Sequence, residues 1–240
     1  MNLALLEPDD FLGDHEARVT GRRLQHLREV LAAQPGDSLP VGRLNGPMGT
    51  GQVERLDAHE ARLRITWDRV VPTPLPLTLV LGLPRPKMMR RVLQTVAAMG
   101  VKRLVLLHSY KVDKSYWQTP WLAPETIKEQ LVLGLEQAMD TALPEVTLHK
   151  RFKPFVEDEL AALAGNSRKL VAHPNTATPC PMALREPVTL CIGPEGGFIP
   201  YEVEKLQEQG FDPVHLGARI LRVETAVPAL LARLFDHCSI

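Results

Sequence analysis

Two carboxylates and a guanidinium stand out by position. Glu195 lies inside the glycine-rich stretch IGPEGG (192–197), and Arg222 and Glu224 stand two apart in LGARILRVETA (216–226). Groups of these types can accept a proton, orient one another, or stabilise negative charge on a carbonyl oxygen. Each stretch follows a short apolar run that reads as a strand, as does a third, AHPN (172–175). In open α/β sheets ligands bind at the carboxyl ends of strands, where loop N–H and C=O groups can meet a base or ribose. Phosphate binding of the familiar kinds does not fit. IGPEGG matches neither G-x-G-x-x-G nor G-x-x-x-x-G-K-[ST], and no lysine follows it. Glu195 would also repel a phosphate, even at the positive end of the next helix. A cationic or hydroxyl-rich ligand meets no such conflict. The plainer reading stays open on these loops alone: Glu195 solvated on a simple turn, Arg222 in a structural ion pair with Glu224 or Glu195.

The elements that must position these loops follow from periodicity. From Leu77 onward, short apolar strands alternate with helices: LTLVLGL, then PKMMRRVLQTVAAMG with Met89, Val92, Val96 and Met99 on one side, then RLVLLHS, PETIKEQLVLGLEQAMD, EVTLHK, VEDELAALAG, KLVAHP, VTLCI, YEVEKLQEQG, PVHLG and AVPALLARLFD. That alternation indicates a parallel α/β sheet. Thr225 is the expected N-cap of the last helix, with Pro228 in its first turn. The first 70 or so residues read as β-rich, with Val53, Leu56, Leu63, Ile65 and Trp67 inward and a hairpin turn over 46–51. One helix precedes them, capped by Thr20, with Leu24, Leu27 and Leu31 at helical spacing. VVPTPLPL, with Pro72, Pro74 and Pro76, is too proline-dense for helix or central strand and marks the expected boundary between domains 1–73 and 74–240.

The 240 residues carry 28 basic and 28 acidic side chains, but unevenly. From Pro84 to Lys114 eight basic residues face one acid, Asp113. A cationic zone on an otherwise acidic chain suits a polyanion such as RNA, or is simply a solvated helix face. Three widely spaced cysteines (Cys180, Cys191, Cys238) form no C-x-x-C pair, and the eight histidines lack ligand spacing, so neither a disulfide framework nor a metal is expected. No run approaches the roughly 18 apolar residues of a membrane span, and the N-terminus has no basic signal-peptide region. A cytoplasmic protein is expected.

Taken together, LCIGPEGGFIPYEVEKLQEQGFDPVHLGARILRVETA resembles the C-terminal signature of the RsmE-type ribosomal RNA methyltransferases, in the SPOUT superfamily. The similarity extends to LGLPRPKMMRRVLQTVAAMGV and to EQ…LPEV at 136–146, while RRLQHLREVL…GDSLPVG resembles that family's PUA-like RNA-binding barrel. The resemblance implies an α/β SPOUT domain with a trefoil knot over about 170–230, preceded by a small PUA-like β-barrel. Knots are rare exceptions to chain topology, and periodicity does not reveal one. It further implies S-adenosylmethionine as cofactor, methylation of N3 of a uridine in 16S rRNA of the small ribosomal subunit, and a homodimer with composite sites. Carried onto this sequence, cofactor binding falls on His173, Pro174, Ile192, Gly193, Gly197, Leu216, Gly217, Ile220, Leu221 and Arg222. Arg222 is the candidate for charge stabilisation, and Glu195 or Glu224 for accepting the N3 proton or orienting Arg222. RNA contacts fall on Arg22, Arg23, Arg85, Lys87, Arg90 and Arg91. The sequence departs from the family pattern after Gln137, where AMDTA replaces an arginine-bearing stretch, and in QTVAAMGV, which lacks acidic and lysine residues. These departures bear on the target more than on the reaction. The rivals are another rRNA or tRNA target, and a non-catalytic RNA-binding assembly factor.

Overall fold

The computed structural model describes residues 1–236, so Cys238 lies outside the described residues. The chain forms two compact units: Met1–Thr73 with Val132–Leu143, and Pro74–Leu131 with the chain from Pro144 onward. The first division falls inside the proline segment. The second was not anticipated, because proline content marks where a chain stiffens and not what packs back later. Residues 132–143 are held in the first unit by Asn2 and Leu3, whose N–H groups both donate to Glu136 O (3.1 and 3.0 Å). Thr141 Oγ1 also donates to Gly46 O (2.7 Å).

The first unit contains β1 (Ala4–Leu6), β2 (Phe11–Gly13), β3 (Glu16–Val19), α1 (Gly21–Glu29), β4 (Ser38–Arg43), β5 (Met48–Leu56) and β6 (Ala61–Arg69). Its six-stranded sheet has the order β1-β4-β5-β6-β3-β2. Leu6 of β1 and Phe11 of β2, at opposite ends of that order, share one apolar core with Val41, Val53, Leu63 and Ile65. The sheet must therefore curl on itself. Leu24 and Leu27 of α1 join this core, but α1 ends at Glu29 and Leu31 is half exposed, correcting the longer helix expected. Thr20 occupies the N-cap position without a side-chain cap bond. The hairpin turn also falls earlier than 46–51, with Gly49 and Gly51 inside β5. A Cβ on Gly49 would sit 2.0 Å from Thr66 O, so the glycine there serves close strand approach.

The second unit contains β7 (Leu77–Gly82), α2 (Pro86–Ala98), β8 (Arg103–Leu107), α3 (Pro124–Ala138), β9 (Glu145–His149), α4 (Phe152–Pro154), a π turn at Phe155–Glu159, α5 (Leu160–Ala164), β10 (Arg168–Ala172), β11 (Val188–Ile192), α6 (Pro200–Glu208), β12 (Asp212–Val214) and α7 (Val223–Leu234). The last residues of α3 belong to the first unit. All pairings in the sheet, ordered β12-β10-β11-β7-β8-β9, are parallel. Parallel sheets are covered on both faces, and β7 is buried at every residue. Val80, Val105, Val171 and Cys191 project to one face, where they pack with Phe155, Leu160, Val203 and Leu206. Leu79, Leu81, Leu104, Leu106 and Leu190 are equally buried at the alternate positions. Burial pushes the Cys180 thiol up to about 11 and raises that of Cys191 further, so both are inert packing residues at neutral pH.

Because every strand runs the same way, their carboxyl ends share one edge. Residues 173–187 join β10 to β11 without a helix. This connection is bonded to the chain after β12 through His173 N to Val214 O (2.9 Å), Cys180 N to His215 O (2.8 Å) and His215 N to Thr178 O (3.0 Å). It also reaches the end of α7, through Leu184 N to Leu234 O (2.7 Å). Helix α7 begins at Val223 with Arg222 as N-cap, not Thr225. The N–H groups of Thr225 and Ala226 both bond Arg222 O (2.9 and 2.7 Å). Pro228 is consequently inside the helix and not in its first turn, which frees the carbonyl of Glu224 from its helical partner. Among the described residues no helix is long and apolar enough to cross a membrane.

Candidate active site

The loops after β10, β11 and β12 enclose a cleft of about 380 Å³. Its β11 wall begins at Gly193, where a Cβ would lie 2.6 Å from Phe198 N and 2.9 Å from Gly197 C. Only glycine lets the chain double back so tightly. The turn 194–197 closes with Gly197 N donating to Pro194 O (2.7 Å). It packs on the end of β7, since a Cβ on Gly82 would meet Pro194 N at 2.5 Å.

Glu195 lines the cleft, and one of its carboxylate oxygens accepts from Arg85 N (2.9 Å). The carboxylate thus braces the turn against the N-cap of α2 while remaining part of the wall. Lys111, from the loop after β8, donates from Nζ to Gly196 O (2.7 Å) and also lines the cleft. Burial, helped by the positive charge of Lys111, holds the His173 pKa below its ordinary value. A neutral imidazole is therefore favoured there. On the third loop, His215 Nδ1 accepts from Gly217 N (2.9 Å), which places any ring proton of the neutral form on Nε2.

Of the cofactor positions expected from sequence, His173, Pro174, Ile192, Gly193, Gly197, Leu216, Gly217, Ile220 and Leu221 all line this cleft. Ile220 (82% exposed) and Leu221 (37%) stand at its mouth. Arg222 does not line it: the residue caps α7 and is exposed. Among the described residues its guanidinium pairs with neither Glu195 nor Glu224. Glu224, in the first turn of α7, is also outside the lining. The three groups proposed for chemistry are thus near in sequence pattern but only Glu195 faces the cleft.

Sequence reading missed several residues here. Lys111 and Gly82 act through contacts distant in sequence. Glu202, 3% exposed, accepts from Ile199 N through Oε2 (3.0 Å) and from Tyr110 N through Oε1 (2.7 Å). Its place three residues after the N-cap was a visible capping signal, although the second bond was not.

The basic residues divide into two groups. Arg23 is committed internally, bidentate to Asp10 (2.6 and 2.8 Å) and to Leu5 O (2.6 Å). Arg22 pairs at 2.7 Å with Glu136, whose side chain is 2% exposed, while its own is 44% exposed. Arg85, Lys87, Arg90 and Arg91 are all exposed. Lys87, Arg90 and Arg91 are spaced three and four apart on α2, opposite the buried Met89, Val92, Leu93 and Val96.

The cleft suits a ligand with an apolar planar part and polar edges. Ile192, Pro194, Phe198, Val214 and Leu216 supply apolar walls, Glu195 supplies a carboxylate, and Lys111 and Arg219 bring cationic side chains to the same lining. A model of the RNA methyltransferase domain matches residues 71–235. The chain belongs to that family. The ribosomal RNA small subunit methyltransferase E of Treponema pallidum is 30% identical over 97% of this chain and 90% of its own length. Its namesake in Synechocystis is 28% identical over 90% of this chain and 71% of its own length. Two solved structures share the fold. The ribosomal RNA small subunit methyltransferase E of Neisseria gonorrhoeae, bound to S-adenosyl methionine, has a TM-score of 0.73 at 23% identity, covering 96% of this chain and 95% of that one. A Legionella pneumophila methyltransferase, also with bound cofactor, gives 0.74 at 24% with the same coverage.

Proposed function

We propose that this chain is an S-adenosylmethionine-dependent methyltransferase of small-subunit ribosomal RNA, acting on N3 of a uridine. The observation that carries the reading is the cleft, where three strand-end loops put apolar walls beside the Glu195 carboxylate, with Lys111 held to Gly196 O and Arg219 at the third loop. The cofactor would be held by the loops at 173–174, 192–197 and 216–221. When bound it supplies an electrophilic methyl group on a sulfonium. Glu195 would offset that positive charge, and a neutral His173 would add none to oppose it. Ile220 and Leu221, exposed at the mouth, offer apolar surface to the ring of a bound cofactor. N3 of uridine must lose a proton to become nucleophilic, and the Glu195 oxygen not bonded to Arg85 N is the candidate acceptor from within the cleft. Arg222, exposed at the start of α7 and outside the cleft lining, would have to swing in to stabilise charge on a uracil carbonyl oxygen, and Glu224, two residues on, is the candidate to orient it.

The remaining parts of the reading rest on the same family resemblance. The first unit serves as a PUA-like RNA-binding barrel. The bonds of 173–187 to both Val214–His215 and the end of α7 support a trefoil knot in the C-terminal segment. The exposed apolar pair Ile220 and Leu221 supports a homodimer in which a second copy completes the site. The small ribosomal subunit is the partner and the cytoplasm the location. The deciding experiment compares modified nucleosides in 16S rRNA from a deletion strain and its parent: N3-methyluridine disappears in the deletion strain and returns on complementation. Its survival in the deletion strain overturns the target, and absence of cofactor affinity by calorimetry overturns the enzyme class.

A further inference from the structure

We propose that Tyr110 is a stacking platform for an unpaired RNA base next to the target nucleotide, an inference that rests on the RNA methyltransferase reading above. Tyr110 follows β8 on the strand-end edge of the sheet, and its side chain is 77% exposed. That exposure is built and not a consequence of fraying. The Tyr110 N–H is held at 2.7 Å by the buried carboxylate of Glu202. Val112 N donates to Ser109 O (3.0 Å), and Val112 is buried. Further along the loop, Trp117 Nε1 donates to His108 Nδ1 (2.9 Å), closing it back onto the end of β8. A large aromatic ring displayed by a fixed backbone spares binding the cost of ordering the loop, leaving only the side-chain rotamer to settle.

Its place gives the ligand class. The next residue, Lys111, touches Gly196 in the cleft wall, so the ring stands one residue from the candidate cofactor site. A second phenol, Tyr201, precedes Glu202, is 43% exposed and has Lys205 Nζ 5.9 Å from its ring centre. Lys111 and Lys114 lie in the same loop, and its one acid, Asp113, is engaged by Ser115 N and Oγ (2.8 Å each). Aromatic faces beside cations are what single-stranded nucleic acid uses, with bases stacking on the rings and phosphates meeting the charges. Extraction of a target base from its stack also leaves its neighbour without a partner face, which Tyr110 can supply.

The test measures binding of fluorescein-labelled oligouridine, chosen because stacking tolerates sequence. Tyr110→Ala is expected to bind it roughly 5- to 100-fold more weakly, whereas Tyr110→Phe and Tyr110→Trp retain affinity. The loss should leave the salt slope unchanged, since no phosphate contact is removed. Tyr110→Trp adds a direct readout, because indole emission is quenched when a base stacks on it. Unchanged affinity in Tyr110→Ala, or no quenching in Tyr110→Trp, overturns the proposal. A fall in oligomer mass of Tyr110→Ala by light scattering also overturns it, by assigning the ring to a protein interface. Calorimetry with S-adenosylmethionine on the unaltered protein tests the enzyme reading separately, so the two can fail independently.

Discussion

Glu195 and Arg85 are joined by a hydrogen bond of 2.9 Å between a side-chain carboxylate and a backbone N–H. The bond ties the turn after β11 to the N-cap of α2, so the wall of the cleft and the start of the basic helix face move as one piece. It also separates two roles for Glu195 that sequence leaves merged. Glutamine preserves an acceptor for Arg85 N but removes the negative charge, and alanine removes both. Glu195→Ala is expected to weaken S-adenosylmethionine binding by about tenfold, consistent with losing a charge-assisted bond. Glu195→Gln is expected to fold but to bind the cofactor more weakly, since the counter-charge is gone; if Glu195 also takes the proton, turnover is lost even at saturating cofactor. Single-turnover methylation with calorimetry on both variants reads the difference, and full turnover in Glu195→Gln removes the residue from the chemistry.

Glu202 joins two loops through bonds from Ile199 N and Tyr110 N while itself 3% exposed. Deleting it leaves two part-buried donors without their carboxylate, each costing about 1–2 kcal/mol. Glu202→Ala should therefore lose about 2–4 kcal/mol of stability, read as a lower urea midpoint with unchanged slope. A loss below half a kcal/mol would show that water or the backbone replaces the carboxylate.

His173 gives a pH dependence whose sign follows from its surroundings. Burial first, then Lys111, lowers its folded pKa from the ordinary 6.5. As pH falls through 6.5 toward the lowered value, the unfolded chain takes up a proton that the native chain refuses. Native stability therefore declines across that window and is fully present above it. Urea midpoints measured at several pH values should fall on acidification, and His173→Gln should flatten that part of the profile. Cofactor affinity should follow the same direction, since an imidazolium in the cleft opposes a sulfonium. A profile identical in the variant rules His173 out as the source.

Arg90 and Arg91 are exposed on the face of α2 opposite its buried stripe. Arg90→Glu combined with Arg91→Glu should weaken binding to a 16S rRNA fragment and reduce the salt slope by about one for each phosphate contact removed. Cofactor affinity should not change. Equal RNA affinity at all salt concentrations would leave these arginines as a solvated helix face.

Local pattern alone determined much of this protein. The alternation of apolar strands with amphipathic helices after Leu77, the curled β-rich unit before it, and the three strand-end loops all follow from periods, turn residues and apolar runs that neighbouring residues carry. Helix ends were less legible. Thr225 has the chemistry of an N-cap, yet Arg222 takes that position because the chain leaves the cleft earlier, and the tertiary path overrides the local preference. Tertiary structure alone decided which distant groups meet. Glu195 reaches Arg85, Glu202 reaches Tyr110 and Lys111 reaches Gly196, each across more than 80 residues. Residues 132–143 leave the sequence neighbourhood of the parallel sheet for the first unit. No period or spacing encodes such meetings, because a hydrogen bond depends on where two backbones pass and not on how far apart they stand in sequence.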